Sequence, residues 1–218
     1  MKGLFIKDFR YLLMQKNFIA AIMVISIANA VFLNNVSFPL GFMTFVISLY
    51  TINTMAYDEY DNGNAFLFTL PFTRKDYIRE KYVLGLVLVG ISMAVALSIS
   101  LVINTYLKKM LITELIGIAL VLIAIVIMLL SVNIPIHLKF GGEKGMIAIF
   151  AVYGALTITG LILYKLSLVY TGISYEELLK IIDKLSPFKV AAILIIASIA
   201  AVLISYGVSL RIIKNKEF

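Results

Sequence analysis

Apolar and charged stretches alternate along this chain, and the apolar ones are long. Crossing a bilayer as a helix takes roughly 20 mostly apolar residues, and six stretches approach or reach that length: 18–33, 39–56, 83–106, 115–133, 146–164 and 190–210. None carries Asp, Glu, Lys, Arg or His in its central part. The first two are short and lie only a few residues apart, but Asn34-Asn35 and Pro39 are turn and breaker residues. The pattern there predicts a tight helical hairpin instead of one long helix. The fold class that follows is all-α: a polytopic membrane protein with six transmembrane helices, one domain over 1–218.

Three segments outside the spans carry their own patterns. In 1–17, Phe5, Phe9, Leu12 and Leu13 share one helical face with Lys2, Lys7 and Arg10 largely off it, which predicts an elbow helix lying in the membrane interface. In 172–187, Ser174 and Glu177 have capping-box spacing, Leu178, Ile181, Ile182 and Leu185 follow at helical intervals, and Ser186-Pro187 stops the run. A short amphipathic helix on the outer surface is expected there. The segment 57–82 is the most heavily charged. It opens with acidic Tyr57-Asp58-Glu59-Tyr60-Asp61, turns at Asn62-Gly63-Asn64, and continues through an apolar run containing Phe66, Leu67, Phe68 and Leu70 to Pro71. Thr73-Arg74-Lys75-Asp76 then has the spacing of an N-cap and its N3 partner, and the new helix is expected to run through Lys81 into the third span.

Composition supports the membrane reading. Apolar residues make up 62% and charged residues 14% of the 218, against roughly 45–50% and 25% in soluble domains. The first 17 residues lack a small-residue cleavage site, so the first span is read as retained. A net charge of +7 would suggest nucleic acid in a soluble protein; here its placement matters more. With the N-terminus inside, the cytoplasmic segments hold 13 Lys and Arg and the outer loops six, which puts both termini in the cytoplasm of a cell whose cytoplasmic membrane holds the protein.

Catalytic chemistry has little to work with. His137 is the sole histidine and cysteine is absent, which disfavours a histidine-based triad or a multi-histidine or thiolate metal site; His137 is read as an interfacial side chain. Gly141-Gly142-Glu143-Lys144-Gly145 is too short for a phosphate-binding loop and is read as a flexible turn, so no ATP site is expected on this chain. The spans offer Asn29, Asn53, Asn104 and Asn133 in place of titratable groups, which disfavours an ion-coupled transporter; these Asn are read as interhelical hydrogen bonders or span ends.

The Tyr57-Asp58-Glu59 start, the Leu70-Pro71-Phe72-Thr73-Arg74-Lys75 core and the Glu80-Lys81-Tyr82 exit resemble the first cytoplasmic loop of type-2 ATP-binding-cassette permeases of the compact bacterial six-helix kind. The elbow, the six spans and the cytoplasmic termini are similar too, so the resemblance covers essentially the whole chain; the short outer helix, without a large folded domain, departs from the polysaccharide and large-lipid exporters. It implies a non-enzymatic permease subunit working with two copies of an ATPase that binds ATP and Mg²⁺, with a second permease, itself or a paralogue, and with membrane lipid. It further implies that Tyr57, Asp58, Glu59, Asp61, Phe66, Leu67, Phe68 and Leu70 meet the ATPase, that Pro71 and Thr73 set a turn, and that Arg74, Lys75 and Lys81 belong to a lever into the third span. The implied cargo of such an exporter is an amphipathic or antimicrobial peptide or a lipid-like compound. A membrane anchor or sensor that recruits a cytoplasmic protein is the competing reading; a lipid-modifying membrane enzyme fits less well, for want of clustered His and carboxylates.

Because the chain has no cysteine, its orientation is directly testable. A single Tyr60→Cys variant is expected to react with a membrane-impermeant maleimide only after cells are opened. Labelling of intact cells would reverse the topology.

Overall fold

A computed structural model describes residues 2–60, 63–67, 69–171 and 187–215. Among them are nine helical segments and no strand: α1 (Lys2–Met14), α2 (Lys16–Phe32), α3 (Phe38–Ser48), α4 (Tyr50–Glu59), α5 (Gly63–Leu67), α6 (Arg74–Leu107), α7 (Ile112–Phe140), α8 (Gly142–Thr171) and α9 (Pro187–Asn215). Five of these helices or helix pairs are long and apolar enough to cross a membrane, and six if α1 and α2 count as one bent span. The outer amphipathic helix expected over 172–187 lies outside the described residues, except that Pro187 opens α9, a first-turn position where its missing N–H costs nothing.

Breaks in the helices have local causes. α1 and α2 meet at 62°, and the junction residue Gln15 is locked from both sides: its Nε2 donates to Tyr11 Oη at 2.9 Å and its Oε1 accepts from Tyr50 Oη at 3.0 Å. The bend is therefore fixed by a side-chain amide held between α1 and α4. α2 and α3 form the hairpin that the Asn-Asn-Pro pattern predicts, with Asn34 at φ 52°, a backbone state asparagine tolerates better than most residues. α3 and α4 are parted only at Leu49 and together make a span of 22 residues.

The bundle is centred on α6, α7 and α9, with α3 and α4 against α6, and α2 and α8 at the periphery. Close approach at the centre depends on a small residue. A Cβ placed on Gly85 would come 2.7 Å from the Leu130 side chain and 3.1 Å from Thr51 Oγ1, so α6 meets α7 and α4 where one backbone presents no side chain. α8 packs on α7 and leaves Met146, Ile147, Phe150 and Leu161 exposed, surface that lipid covers.

Proline creates the second fixed point. α7 continues past residue 133, where the apolar span ended in sequence, to Phe140, with Pro135 inside it. Pro135 has no N–H for the Ser131 carbonyl four residues back. The Ser205 hydroxyl of α9 donates to that carbonyl instead. Tyr82 of α6 hydrogen-bonds both Ser205 and, at 2.9 Å, Ser209. The gap left by one proline thus becomes a polar tie among three helices in an otherwise apolar layer.

Ser205→Ala is expected to destabilise the protein by about 1–2 kcal/mol, because a buried carbonyl is left without a donor, measurable as lower thermal stability in detergent. Pro135→Ala restores an N–H to Ser131, so the same substitution made in that background is expected to cost less. Equal costs in both backgrounds would show that the Ser205 hydroxyl does not serve the orphaned carbonyl.

Candidate functional site

The charged end of the bundle gathers α1, the ends of α4 and α9, α5 and the start of α6. α6 begins with a reciprocal cap. The Asp76 amide donates to Thr73 Oγ1 at 3.1 Å, and Asp76 Oδ2 accepts from the Thr73 amide at 3.1 Å. From that cap the helix runs unbroken for 34 residues, about 51 Å at helical rise. The hydrocarbon layer is about 30 Å thick. The first turns of α6, Arg74 to Lys81, are therefore a rigid extension beyond the membrane core, covalently continuous with the span.

The extension is fastened by a buried ionic cluster. Lys81, fully enclosed, donates from Nζ to Asp8 of α1, and at 3.0 Å to Thr54 Oγ1 of α4; the same Nζ lies 2.9 Å from Asp58 Oδ2 and 5.2 Å from the centre of the Tyr77 ring. Tyr77 donates to Asp58 Oδ2 at 3.2 Å. Lys7 pairs with Asp58 and lies 3.1 Å from Asp8 Oδ1. The Glu80 carboxyl, also fully enclosed, is 3.8 Å from the Lys81 ammonium. Charges buried this deeply persist only where their partners are in place. The cluster consequently holds the elbow helix, the end of the second span and the start of the third in one relative position.

The residues that the resemblance assigned to a partner, to a turn and to a lever divide between this interior and the surface. Asp58 and Lys81 are in the cluster, and Leu67 is buried in the apolar core beneath it with Tyr77 and Ile78; in this conformation they do not face a partner. Glu59 is engaged elsewhere, its Oε2 accepting from the Gly142 amide at 2.7 Å, at the start of α8. Gly141 adopts φ +67°, and a Cβ there would sit 3.0 Å from that oxygen, so the glycine pair is a shaped junction. Tyr57, Phe66, Leu70, Pro71, Thr73, Arg74 and Lys75 stay exposed. Tyr57 stacks obliquely on Tyr11 with ring centres 4.7 Å apart. Leu70 and Pro71 stand at the tight turn closed by the Phe72 amide on the Leu70 carbonyl at 2.7 Å. Asp61 and Phe68 lie outside the described residues.

Arg74 reaches across to α9, donating from Nη1 to the Ile213 and Lys214 carbonyls at 2.9 and 3.3 Å, which caps that helix C-terminus. With Lys75, Arg211 and Lys214 it surrounds a groove of about 540 Å³. His137 is buried against Gly145 of α8 instead of lying at an interface. Of the span asparagines, Asn104 clamps the turn after α6 through Met110, Asn133 accepts from Tyr153 of α8 at 2.8 Å, and Asn29 caps its own preceding turn.

Sequence reasoning missed Asp8. A signal was present, since Asp8 is the sole acidic residue before Asp58, and a lone carboxylate in a basic apolar helix calls for a buried cation.

Lys81→Met is expected to destabilise the protein by about 3–5 kcal/mol, the cost of leaving buried carboxylates without their counter-charge. Adding Asp8→Asn should recover part of that loss, because Lys7 and Asp58 then balance. A thermal-stability cycle on the four proteins measures the coupling; additive losses would mean that Lys81 and Asp8 do not interact energetically.

A family model described as ABC-2 family transporter protein matches residues 3–214. Comparison with curated proteins and with solved structures returns no match. The match takes in all the spans, the ionic cluster and the α6 extension. The chain therefore belongs to the ABC-2 transporter family, as a multi-pass membrane permease subunit that works with an ABC ATPase.

Proposed function

We propose that this chain is the permease of an exporter and that its ATPase grips the exposed surface running from Tyr57 through Phe66, Leu70 and Pro71 to Lys75. The observation carrying this reading is the unbroken α6, whose extension beyond the membrane begins beside that surface and is held to α1 and α4 by the buried cluster. An ATPase closing on ATP and Mg²⁺ displaces the surface, and a helix continuous with a span transmits the displacement without loss in a loop. Exposed aromatic and aliphatic side chains provide the anchor, as at other protein interfaces. Charges on the rim, Arg74 and Lys75 among them, set orientation more than affinity.

In this reading the surface faces the cytoplasm, both termini lie inside, and the cytoplasmic membrane is the site of action. Two ATPase chains serve a pair of permeases, two copies of this chain or this chain with a paralogue. The cargo passes between them, and the apolar, aromatic character of the spans suits an amphipathic peptide, including antimicrobial ones, or a lipid-like compound.

Phe66→Ala with Lys75→Glu is expected to weaken co-purification of the ATPase at least about 30-fold, the scale of losing one hot-spot anchor, while the permease still reaches the membrane at normal abundance. ATPase retention and export at the unaltered level would refute the docking surface.

A further inference from the structure

α7 and α9 flank a second, open cavity of about 520 Å³ on the side of the bundle. That volume is within the 300–1,000 Å³ of small-molecule sites. Its wall is made by Val132, Pro135 and Ile136 of α7 and Ile204, Val208 and Ile212 of α9. The two serines that reach it are already satisfied within the protein: Ser131 Oγ donates to the Ile127 carbonyl at 2.8 Å, and Ser205 donates to the Ser131 carbonyl. The cavity therefore offers an occupant almost no free hydrogen-bonding group, which excludes polar solutes on desolvation grounds. Ile204 and Val208 are exposed on its rim, so its opening faces sideways, where a membrane-embedded helix meets acyl chains.

The mouth has a different chemistry. Lys139 lines the cavity where α7 reaches the charged end, its ammonium 5.4 Å from the centre of the Phe140 ring. Arg211 follows Val208 by one turn on the same stripe of α9, between this cavity and the basic groove of Arg74, Lys75 and Lys214. Among the described residues neither Lys139 nor Arg211 is in an ion pair. An apolar slot open to lipid, ending at two cations that have no counter-ion among the described residues, matches one class of molecule in both parts.

We propose that the α7–α9 slot is a binding site for an anionic phospholipid of the adjacent leaflet. One acyl chain lies along Ile136, Ile204 and Val208, and the phosphate and a second negative group of the head are held by Lys139 and Arg211. The slot ends against the Ser131–Ser205–Tyr82 tie, so an occupied slot supports α7 and α9 where Pro135 interrupts the helix ladder. Its headgroup end adjoins the ATPase-docking surface, because Arg211 shares the basic groove with Arg74 and Lys75.

The test uses the full chain, purified alone and with its ATPase, and two probes of identical acyl chains, phosphatidylglycerol and phosphatidylcholine. Retention is read by native mass spectrometry, and position by crosslinking a photoreactive phosphatidylglycerol and mapping the labelled peptide. The expected result is phosphatidylglycerol retained roughly 30-fold over phosphatidylcholine, from two cations near the headgroup, with label on α7 and α9. Lys139→Glu with Arg211→Glu abolishes the preference, and Val208→Trp reduces retention of both lipids. Equal retention of the two lipids, label confined to other helices, a preference that survives the charge reversal, or label on the ATPase at this position would each overturn the proposal; mapping on the unaltered protein needs no variant to fold.

Discussion

An ammonium group sealed from water must have its counter-charges delivered by the fold, and much of the charged end of this protein follows from that demand at Lys81. Its carboxylate partners come from two different helices, Asp8 on α1 and Asp58 on α4, so the ion is satisfied only when three elements are assembled. Such a cluster adds little to stability compared with a well-packed apolar replacement. What it supplies is position: a slide or rotation of α6 against α1 or α4 separates charges that have no water to turn to. Apolar contacts between membrane helices resist such slides weakly, because lipid solvates the helices as well as they solvate each other. In the proposed coupling, this specificity keeps the three elements moving together.

A comparable logic operates one layer deeper. Pro135 deprives the Ser131 carbonyl of its helical donor, and the Ser205 hydroxyl, itself hydrogen-bonded to Tyr82, fills the vacancy. The two ties differ in kind: the first is ionic and sits where water begins, the second is neutral and sits among apolar side chains. Together they join α6 to the elements at the charged end, α1 and α4, and to its partners at the centre of the bundle, α7 and α9.

The spans were legible because apolar length is a strong signal when the solvent is lipid, and the α2–α3 hairpin because Asn34, Asn35 and Pro39 are locally decisive. The Thr73–Asp76 cap was legible for the same reason, since both partners lie within one turn. Helix ends were less so: α7 passes through Pro135 because α9 supplies the missing donor, a tertiary fact without a local trace. Charge proved hardest to read. Asp58 and Lys81 look like surface residues in a charged loop, yet burial separates them from Lys75, and which one is buried depends on where α1 folds back. The apolar face read for α1 leaves Phe9 and Leu13 exposed on the bundle, and the protein-facing side, which the pattern did not reveal, carries Leu4 and Asp8 with Lys7 beside them. The proposed docking surface rests on exposure, which sequence pattern does not contain.

The junction between Glu59 and Gly142 adds a mechanical asymmetry. α8 has most of its length open to lipid and leans on α7, but its first peptide group is bound to the last residue of α4 across a glycine pair that permits a sharp change of direction. A helix anchored firmly at its foot and loosely along its shaft behaves as a boom: small movements at the pivot become larger ones at the far tip. In the proposed exporter, α8 is thus the element whose far end travels furthest for a given shift at the Glu59–Gly142 junction.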